Sequence, residues 1–92
     1  MLEFFLYKKM EFVVYILYSK NKDRFYIGYT SNVDNRIIRH NQKSKGFTGS
    51  VNDWCLVYKE IYSHKESAIK REREIKNWKS RIKIKELIKN SL

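Results

Sequence analysis

Two short apolar stretches decide the fold of this chain: VVYILYS at residues 13–19 and RFYIG at residues 24–28. Both are rich in β-branched and aromatic residues, and the polar connector KNKD at 20–23 separates them. Two β-prone runs joined by a few polar residues are typical of a β-hairpin. The sequence therefore predicts a hairpin that places Tyr15 and Tyr26 on neighbouring strands.

The rest of the chain predicts one more strand and three helices. Thr30-Ser31-Asn32 before an acidic residue and spaced aliphatics indicates a helix start. The predicted strands are 11–19, 24–29 and 54–62, and the predicted helices are about 33–43, 66–80 and 81–90. The order β-β-α-β-α-α, with connectors compatible with hairpins, indicates an α+β fold in which helices pack on a small antiparallel sheet.

Length and pattern predict one domain. The chain has 92 residues, which suits a single domain. The patterned part begins at Met10, so residues 10–92 are predicted to form the domain. Residues 1–9 are predicted to be an N-terminal extension or to follow an upstream start that the core does not need.

The charge of the chain points to a polyanionic partner. There are 20 Lys and Arg against 10 Asp and Glu, a formal net charge of +10. Such a field concentrates polyanions at the surface, so nucleic acid is the expected partner and an anionic membrane surface is the alternative. A spanning helix is not expected, because no stretch reaches about 18 apolar residues.

The single cysteine restricts the chemistry. Cys55 alone excludes an internal disulfide and a cysteine-based zinc site. A free thiol fits a reducing cytoplasm, which is the predicted location. Because Cys55 lies in an apolar run, it is expected to be a buried structural thiol.

Three charged or titratable residues break the helical patterns. Arg36 and His40 are four residues apart and share one face of the first helix; they are either a solvated arginine with an incidental histidine, or part of a site. Glu72 falls between Ile69 and Ile75 on the apolar stripe of the long helix. A buried unpaired carboxylate is costly, so Glu72 is either in a structural salt bridge with an arginine or a metal ligand.

Taken together, these residues resemble the GIY-YIG endonuclease superfamily, over residues 11 to about 88. The similarity is to small stand-alone bacterial proteins that resemble the N-terminal nuclease domain of UvrC. The first motif reads Val-Tyr-Ile and lacks its glycine, and the role of an asparagine found in some relatives stays open. The resemblance rests on Val14-Tyr15-Ile16, Tyr26-Ile27-Gly28, Thr30, Arg36, His40-Asn41 and Glu72.

The resemblance implies a three-stranded antiparallel sheet flanked by about three helices, and metal-dependent hydrolysis of a DNA phosphodiester. Glu72 would hold a single Mg²⁺ or Mn²⁺, which needs only one or two protein carboxylates. Arg36 would bind phosphate oxygens through its planar guanidinium. Tyr15 and Tyr26 would position or deprotonate the attacking water, and His40 would take that proton or orient a tyrosine; the three stay unranked as the general base.

The resemblance also implies how DNA is recognised. Backbone contacts from basic residues carry no sequence information, so the preference for sequence is expected to be low, and target choice is expected to come from this fold or from a protein partner. Branched or single-stranded DNA and a role in DNA repair or structure-selective cutting are expected. The alternative is a nucleic-acid-binding module without turnover. The predicted DNA-binding residues are Lys43, Lys45, Lys70, Arg71, Arg73, Lys76 and Lys79.

Overall fold

The computed structural model describes residues 10–42 and 48–92. Within these ranges the chain forms three strands and three helices in the order β-β-α-β-α-α, so the predicted fold and element order are confirmed. The predicted extension at residues 1–9 lies outside the described residues. The elements are β1 (Phe12–Ser19), β2 (Arg24–Thr30), α1 (Val33–His40), β3 (Trp54–Tyr62), α2 (Lys65–Trp78) and α3 (Arg81–Asn90).

The three strands form one antiparallel sheet in the order β2-β1-β3. The predicted hairpin is present, and its register pairs Tyr15 with Gly28 and Leu17 with Tyr26. Directly paired residues point to the same face, and residues two positions along are diagonal neighbours. Tyr15 and Tyr26 are therefore diagonal neighbours on one face of the sheet.

The central strand β1 is covered on both faces, as its continuous apolar sequence predicts. Each face has its own core cluster. On one face Val14 and Ile16 pack with Ala68, Ile75 and Ile84 from α2 and α3. On the other face Val13, Tyr15, Leu17 and Trp54 pack with Tyr26, Val33, Ile37 and Val51.

The edge strand β3 is less buried than its apolar sequence suggests. Cys55 is exposed, so the prediction of a buried thiol is wrong. The reason is that β3 lies at the edge of the sheet, and an apolar run is fully covered only in a strand with helices over both faces.

Helix α1 begins where the sequence predicts and ends earlier. Asn32 is its N-cap, and the Asn32 side chain accepts a hydrogen bond from the backbone N–H of Asn35 at 3.1 Å. The helix ends at His40 rather than near residue 43. Helix α2 starts at Lys65, one residue earlier than predicted, and ends at Trp78 rather than Ser80. The next residue, Lys79, adopts a left-handed conformation with φ 49°. Across the described residues, no helix is long and apolar enough to cross a membrane.

Candidate active site

A cleft of about 390 Å³ opens at the β2 edge of the sheet, where α1 and α2 approach from opposite faces. Four of the residues predicted to form a site, Tyr15, Tyr26, Arg36 and Glu72, all line this cleft. They come from four different elements, β1, β2, α1 and α2. The remaining lining residues are Phe12, Gly28, Tyr29, Thr30, Ser31 and Lys65.

The phenol of Tyr15 is held in a tight position. Only 1% of the residue is exposed, and a Cβ added to Gly28 would lie 2.6 Å from its hydroxyl oxygen and 2.8 Å from Cζ. Gly28 therefore provides the space that the Tyr15 ring occupies. Burial, together with Tyr26 and Glu72 nearby, raises the pKa of the Tyr15 phenol well above its ordinary value, so the hydroxyl keeps its proton at neutral pH.

His40 connects Tyr15 to the loop that follows α1. Its Nε2 lies 2.8 Å from the hydroxyl oxygen of Tyr15, and its Nδ1 lies 3.0 Å from Oγ1 of Thr48. Burial lowers the pKa of His40, and the positive charges of Arg36 and Arg39 lower it further. The imidazole is therefore neutral at neutral pH, with one ring nitrogen that donates and one that accepts.

Tyr26 completes an aromatic group around the imidazole. Its ring centroid lies 4.5 Å from that of His40 and 6.2 Å from that of Tyr15. Tyr26 is half-buried and reaches the cleft. The packing fixes the imidazole ring between the two tyrosines.

The side chain of Asn41 fixes the end of α1 against the start of β3. Its Nδ2 donates to the carbonyl oxygen of Trp54 at 3.0 Å, and its Oδ1 accepts from the Trp54 backbone N–H at 2.7 Å. The indole Nε1 of Trp54 donates to the Thr48 carbonyl oxygen at 3.0 Å. These bonds hold Thr48, and through it His40, in place.

Glu72 is not in the arginine salt bridge that one interpretation of its position expected. Its side chain is 15% exposed, and its Oε1 lies 3.1 Å from Nζ of Lys76 one turn later. The Lys76 side chain is 49% exposed, and ion pairs with exposed lysines are weak. Glu72 therefore faces the cleft with only a surface lysine as an ion-pair partner among the described residues.

Lys65 also reaches the cleft, and sequence reasoning missed it. It stands seven residues before Glu72, which is two helical turns. This spacing puts both side chains on one face of α2, and it was the signal that could have found Lys65. The cleft therefore has two cations, Arg36 and Lys65, beside one carboxylate.

The donors in the cleft fit a hard divalent cation that keeps most of its own waters. The described residues contain no group of three or more His, Cys, Asp or Glu that could hold a metal. Zinc in structural sites needs four nitrogen or sulfur ligands, which this cleft does not offer. Mg²⁺ is commonly bound through one or two carboxylates plus substrate phosphates, and Glu72 fits that pattern.

The predicted DNA-binding residues divide into three groups. Lys70, Arg73, Lys76 and Lys79 are exposed on α2 or just after it. Arg71 instead binds the carboxylates of Glu60 and Glu74, a contact that sequence could not show because Glu60 lies on β3. The two remaining residues, Lys43 and Lys45, lie outside the described residues.

Comparison with known proteins identifies the family. Residues 11–85 match the model of the GIY-YIG catalytic domain, and the chain belongs to this family. The domain implies a nuclease-type function on nucleic acid, and nucleases of this family generally use a divalent metal. The chain is similar to the UPF0213 protein BH0048 from Bacillus halodurans, solved by solution NMR, with 33% identity over 87% of this chain and 84% of that chain and a TM-score of 0.56. No curated protein matches the chain.

Proposed function

We propose that this protein is a metal-dependent endonuclease that hydrolyses phosphodiester bonds of DNA with low sequence preference. The observation that carries the proposal is the convergence of Arg36, Glu72 and Tyr15 on one open cleft, with the buried His40 hydrogen-bonded to Tyr15. A cation for phosphate, a carboxylate for a metal and a proton acceptor are the parts that phosphodiester hydrolysis needs.

Arg36 and Lys65 bind the scissile phosphate in this proposal. A guanidinium cannot lose its proton in a protein, and its fork matches two phosphate oxygens. Lys65 adds a second positive charge from the other side of the cleft. Both charges stabilise the negative charge that grows on the phosphoryl oxygens in the transition state.

Glu72 is the proposed ligand of a single Mg²⁺ or Mn²⁺. The bound ion supplies Lewis-acid polarisation of the phosphoryl group and stabilisation of the leaving oxygen. Lys76 holds one carboxylate oxygen of Glu72 at 3.1 Å and thereby orients the carboxylate. Its exposure lets it move away without disturbing the core.

His40 is the proposed proton acceptor, acting through Tyr15. In this arrangement Nδ1–H of His40 donates to Thr48, so Nε2 accepts from the Tyr15 hydroxyl. As water adds to phosphorus, Tyr15 takes the proton of the water and passes its own to Nε2, and the bond to the leaving oxygen breaks. The neutral state of His40 makes it ready to accept.

The basic exposed surface of α2 supports binding to the DNA backbone rather than to bases. Lys70, Arg73 and Lys76 are exposed on α2, and the net charge of the chain is +10. Contacts to phosphates fix position without reading sequence. Single-stranded or branched DNA, as in repair or structure-selective cutting, is therefore the proposed substrate, and target choice is proposed to come from a protein partner.

A nicking assay tests the proposal. Purified protein is incubated with supercoiled plasmid, single-stranded DNA and branched DNA, with Mg²⁺ or Mn²⁺ and then with a chelator. The wild type should cut with metal and stop with chelator, and Arg36→Ala should be slower by about 10²–10³-fold. Lys83→Ala, at an exposed position of α3, is the matched control and should cut normally. DNA binding without any cutting would contradict the nuclease function and would show a nucleic-acid-binding module instead.

A second set of variants tests the proton path. Tyr15→Phe and His40→Gln should each slow cleavage by about 10²–10⁴-fold, the range of general base catalysis. Because the pKa of His40 is lowered, wild-type activity should fall only below pH 6.5, and this acid limb should vanish in His40→Gln. Equal activity of Tyr15→Phe and wild type at every pH would exclude the path.

A further inference from the structure

A second depression of about 220 Å³ adjoins the cleft on the outer side of α1. It shares Thr30, Ser31 and Arg36 with the cleft, so the two form one continuous surface. Three residues line only the depression: Asn32, Asn35 and Arg39.

The depression is built to attract an anion. Arg36 and Arg39 are three residues apart on α1 and lie on one face. All six residues that line the depression are hydroxyl, amide or guanidinium side chains, and none is acidic. Neither arginine has a carboxylate partner among the described residues. Two like charges on neighbouring turns cost helix stability, and a bound anion relieves that cost.

The positive charge comes from the guanidinium groups and not from the start of the helix. The N-cap Asn32 already accepts the backbone N–H of Asn35. Arg39 is also close enough to the cleft for its charge to act there: like Arg36 it opposes the rise in the pKa of Tyr15, which lines the cleft. Arg36 lines both spaces and Arg39 lines the depression, so the two guanidinium groups share one surface.

We propose that the depression binds a phosphate adjacent to the scissile one on the same strand, so that the cleft and the depression hold two successive phosphates. Arg36 lies between the two phosphates, and Arg39 and Asn35 hold the second. This rests on the proposed function and deepens it: the ligand is a polynucleotide strand with at least two phosphates, cut at an internal bond.

Binding measurements test the proposal without relying on cleavage. Fluorescence anisotropy with a labelled oligothymidylate of twelve nucleotides, without divalent metal, is recorded over a range of NaCl concentrations. Arg39→Ala should bind about tenfold more weakly, the size of a lost charged hydrogen bond. The slope of log K against log[salt] should fall by about 0.7, the value for one phosphate contact on a single strand.

Arg24→Ala is the matched control. Arg24 is exposed and is the first residue of β2, about 20 Å along the strand from Thr30. It removes the same charge from the chain without touching the depression. If Arg24→Ala and Arg39→Ala change affinity and slope equally, the effect is one of net charge and the proposal is overturned.

Asn35→Asp is a second variant that does not weaken the fold. An acidic residue in the first turn of a helix is favourable, so the melting temperature should hold or rise. The same carboxylate lies in the depression and should repel a phosphate, so binding should weaken at least as much as in Arg39→Ala. Wild-type affinity in Asn35→Asp would overturn the proposal.

The failure of this proposal can be told apart from failure of the nuclease function. If the wild type never cuts DNA but Arg39→Ala still loses affinity and slope relative to Arg24→Ala, the second phosphate site stands and the nuclease function falls. If the wild type cuts DNA while Arg39→Ala binds and cuts like Arg24→Ala, the nuclease function stands and the second site falls.

Discussion

Two clusters in this molecule use the same three residue types in opposite ways. The first is the cleft, with Tyr15, Tyr26, Arg36 and Glu72. The second lies between β3 and α2 and is here called the brace; it consists of Tyr58, Tyr62, Arg71 and Glu60.

In the brace, the polar side chains bind one another. Glu60 accepts hydrogen bonds from the hydroxyls of Tyr58 and Tyr62 and from Arg71, whose Nε and Nη2 lie 3.0 and 3.1 Å from its oxygens. Burial and the bond to Glu60 raise the pKa of both tyrosines to about 12. Although burial opposes it, these contacts hold the pKa of Glu60 below its ordinary value.

The cleft leaves its charges available to a ligand. Among the described residues there is no ion pair between Arg36 and Glu72, although both line the same 390 Å³ of space. Arg71 in the brace is paired with Glu60, whereas Arg36 in the cleft has no ion-pair partner within residues 10–42 and 48–92. The residue types in a cluster therefore do not show whether it is structural or functional. What distinguishes the two is whether the charged side chains are already paired with one another.

The largest expected difference lies between the two glutamates. Glu72→Gln should lower cleavage by about 10²–10³-fold, comparable to losing a transition-state contact, with an unchanged melting temperature. Glu60→Gln should lower the stability by about 1–3 kcal/mol, because it weakens a buried network. Cleavage rates and thermal melts of both variants check this. If Glu60→Gln lost activity at temperatures where it is folded, the brace would also contribute to cleavage and the distinction between the two clusters would be wrong.

The two arginines should differ in the same way. Arg36→Lys keeps the charge but loses the fork, so cleavage should fall by about 10–100-fold, less than full removal of a transition-state donor. Arg71→Lys should cut normally and melt several degrees lower, since about 1 kcal/mol shifts the melting temperature of a small domain by 4–8 °C. A normal rate in Arg36→Lys would show that charge alone is sufficient in the cleft.

The cleft also depends on a missing side chain, and Gly28→Ala tests this. The added Cβ would overlap the hydroxyl and ring of Tyr15, so we expect a loss of about 1–3 kcal/mol, the usual cost of overpacking. The double variant Tyr15→Phe with Gly28→Ala removes the closest contact and should recover part of that stability in a denaturant titration. A fully stable Gly28→Ala variant would contradict the tight packing around Tyr15.

The smallest expected effect is a difference in the pH at which each cluster loses its contribution to stability. The pKa of His40 is lowered from 6.5, so the unfolded chain binds more protons below pH 6.5, and stability falls as pH drops through the lowered value. The pKa of Glu60 is lowered from 4.5, so its contribution is lost below that pH, where Asp23 and Asp53 also titrate.

Melting temperatures between pH 8 and pH 3 should therefore fall in two stages. His40→Gln should flatten the upper stage, and Glu60→Gln should reduce the lower one. A single stage below pH 4.5 in the wild type would show that His40 does not contribute.

Sequence patterns predict those parts of the fold that depend on local periodicity. The hairpin, all six elements and the inward position of Glu72 follow from runs and spacings along the chain. The placement of Tyr15 and Tyr26 on neighbouring strands follows from the hairpin, whereas the pairing of Tyr15 with Gly28 was not predicted. The end of α1 and the exposure of Cys55 depend on neighbours in space, and they were predicted less well.

The parts that sequence did not predict are contacts between distant elements. Arg71 and Arg36 look alike in sequence, and only the position of Glu60 on β3 shows that Arg71 is neutralised. Thr48 as the partner of His40 depends on the path of the connection after α1. Lys65 could have been predicted, because it stands two helical turns before Glu72 and therefore shares its face of α2.

The two bonds between Asn41 and Trp54 join the residue after α1 to the first residue of β3. A side-chain amide pairs with both backbone groups of Trp54 and fixes the two ends of the chain from 42 to 53. Because Thr48 within this span contacts both the His40 imidazole and the Trp54 indole, a substitution at Asn41 should alter the orientation of His40 without touching its ring. The position of the imidazole thus depends on an amide that does not itself line the cleft, so the arrangement extends beyond the residues that line it.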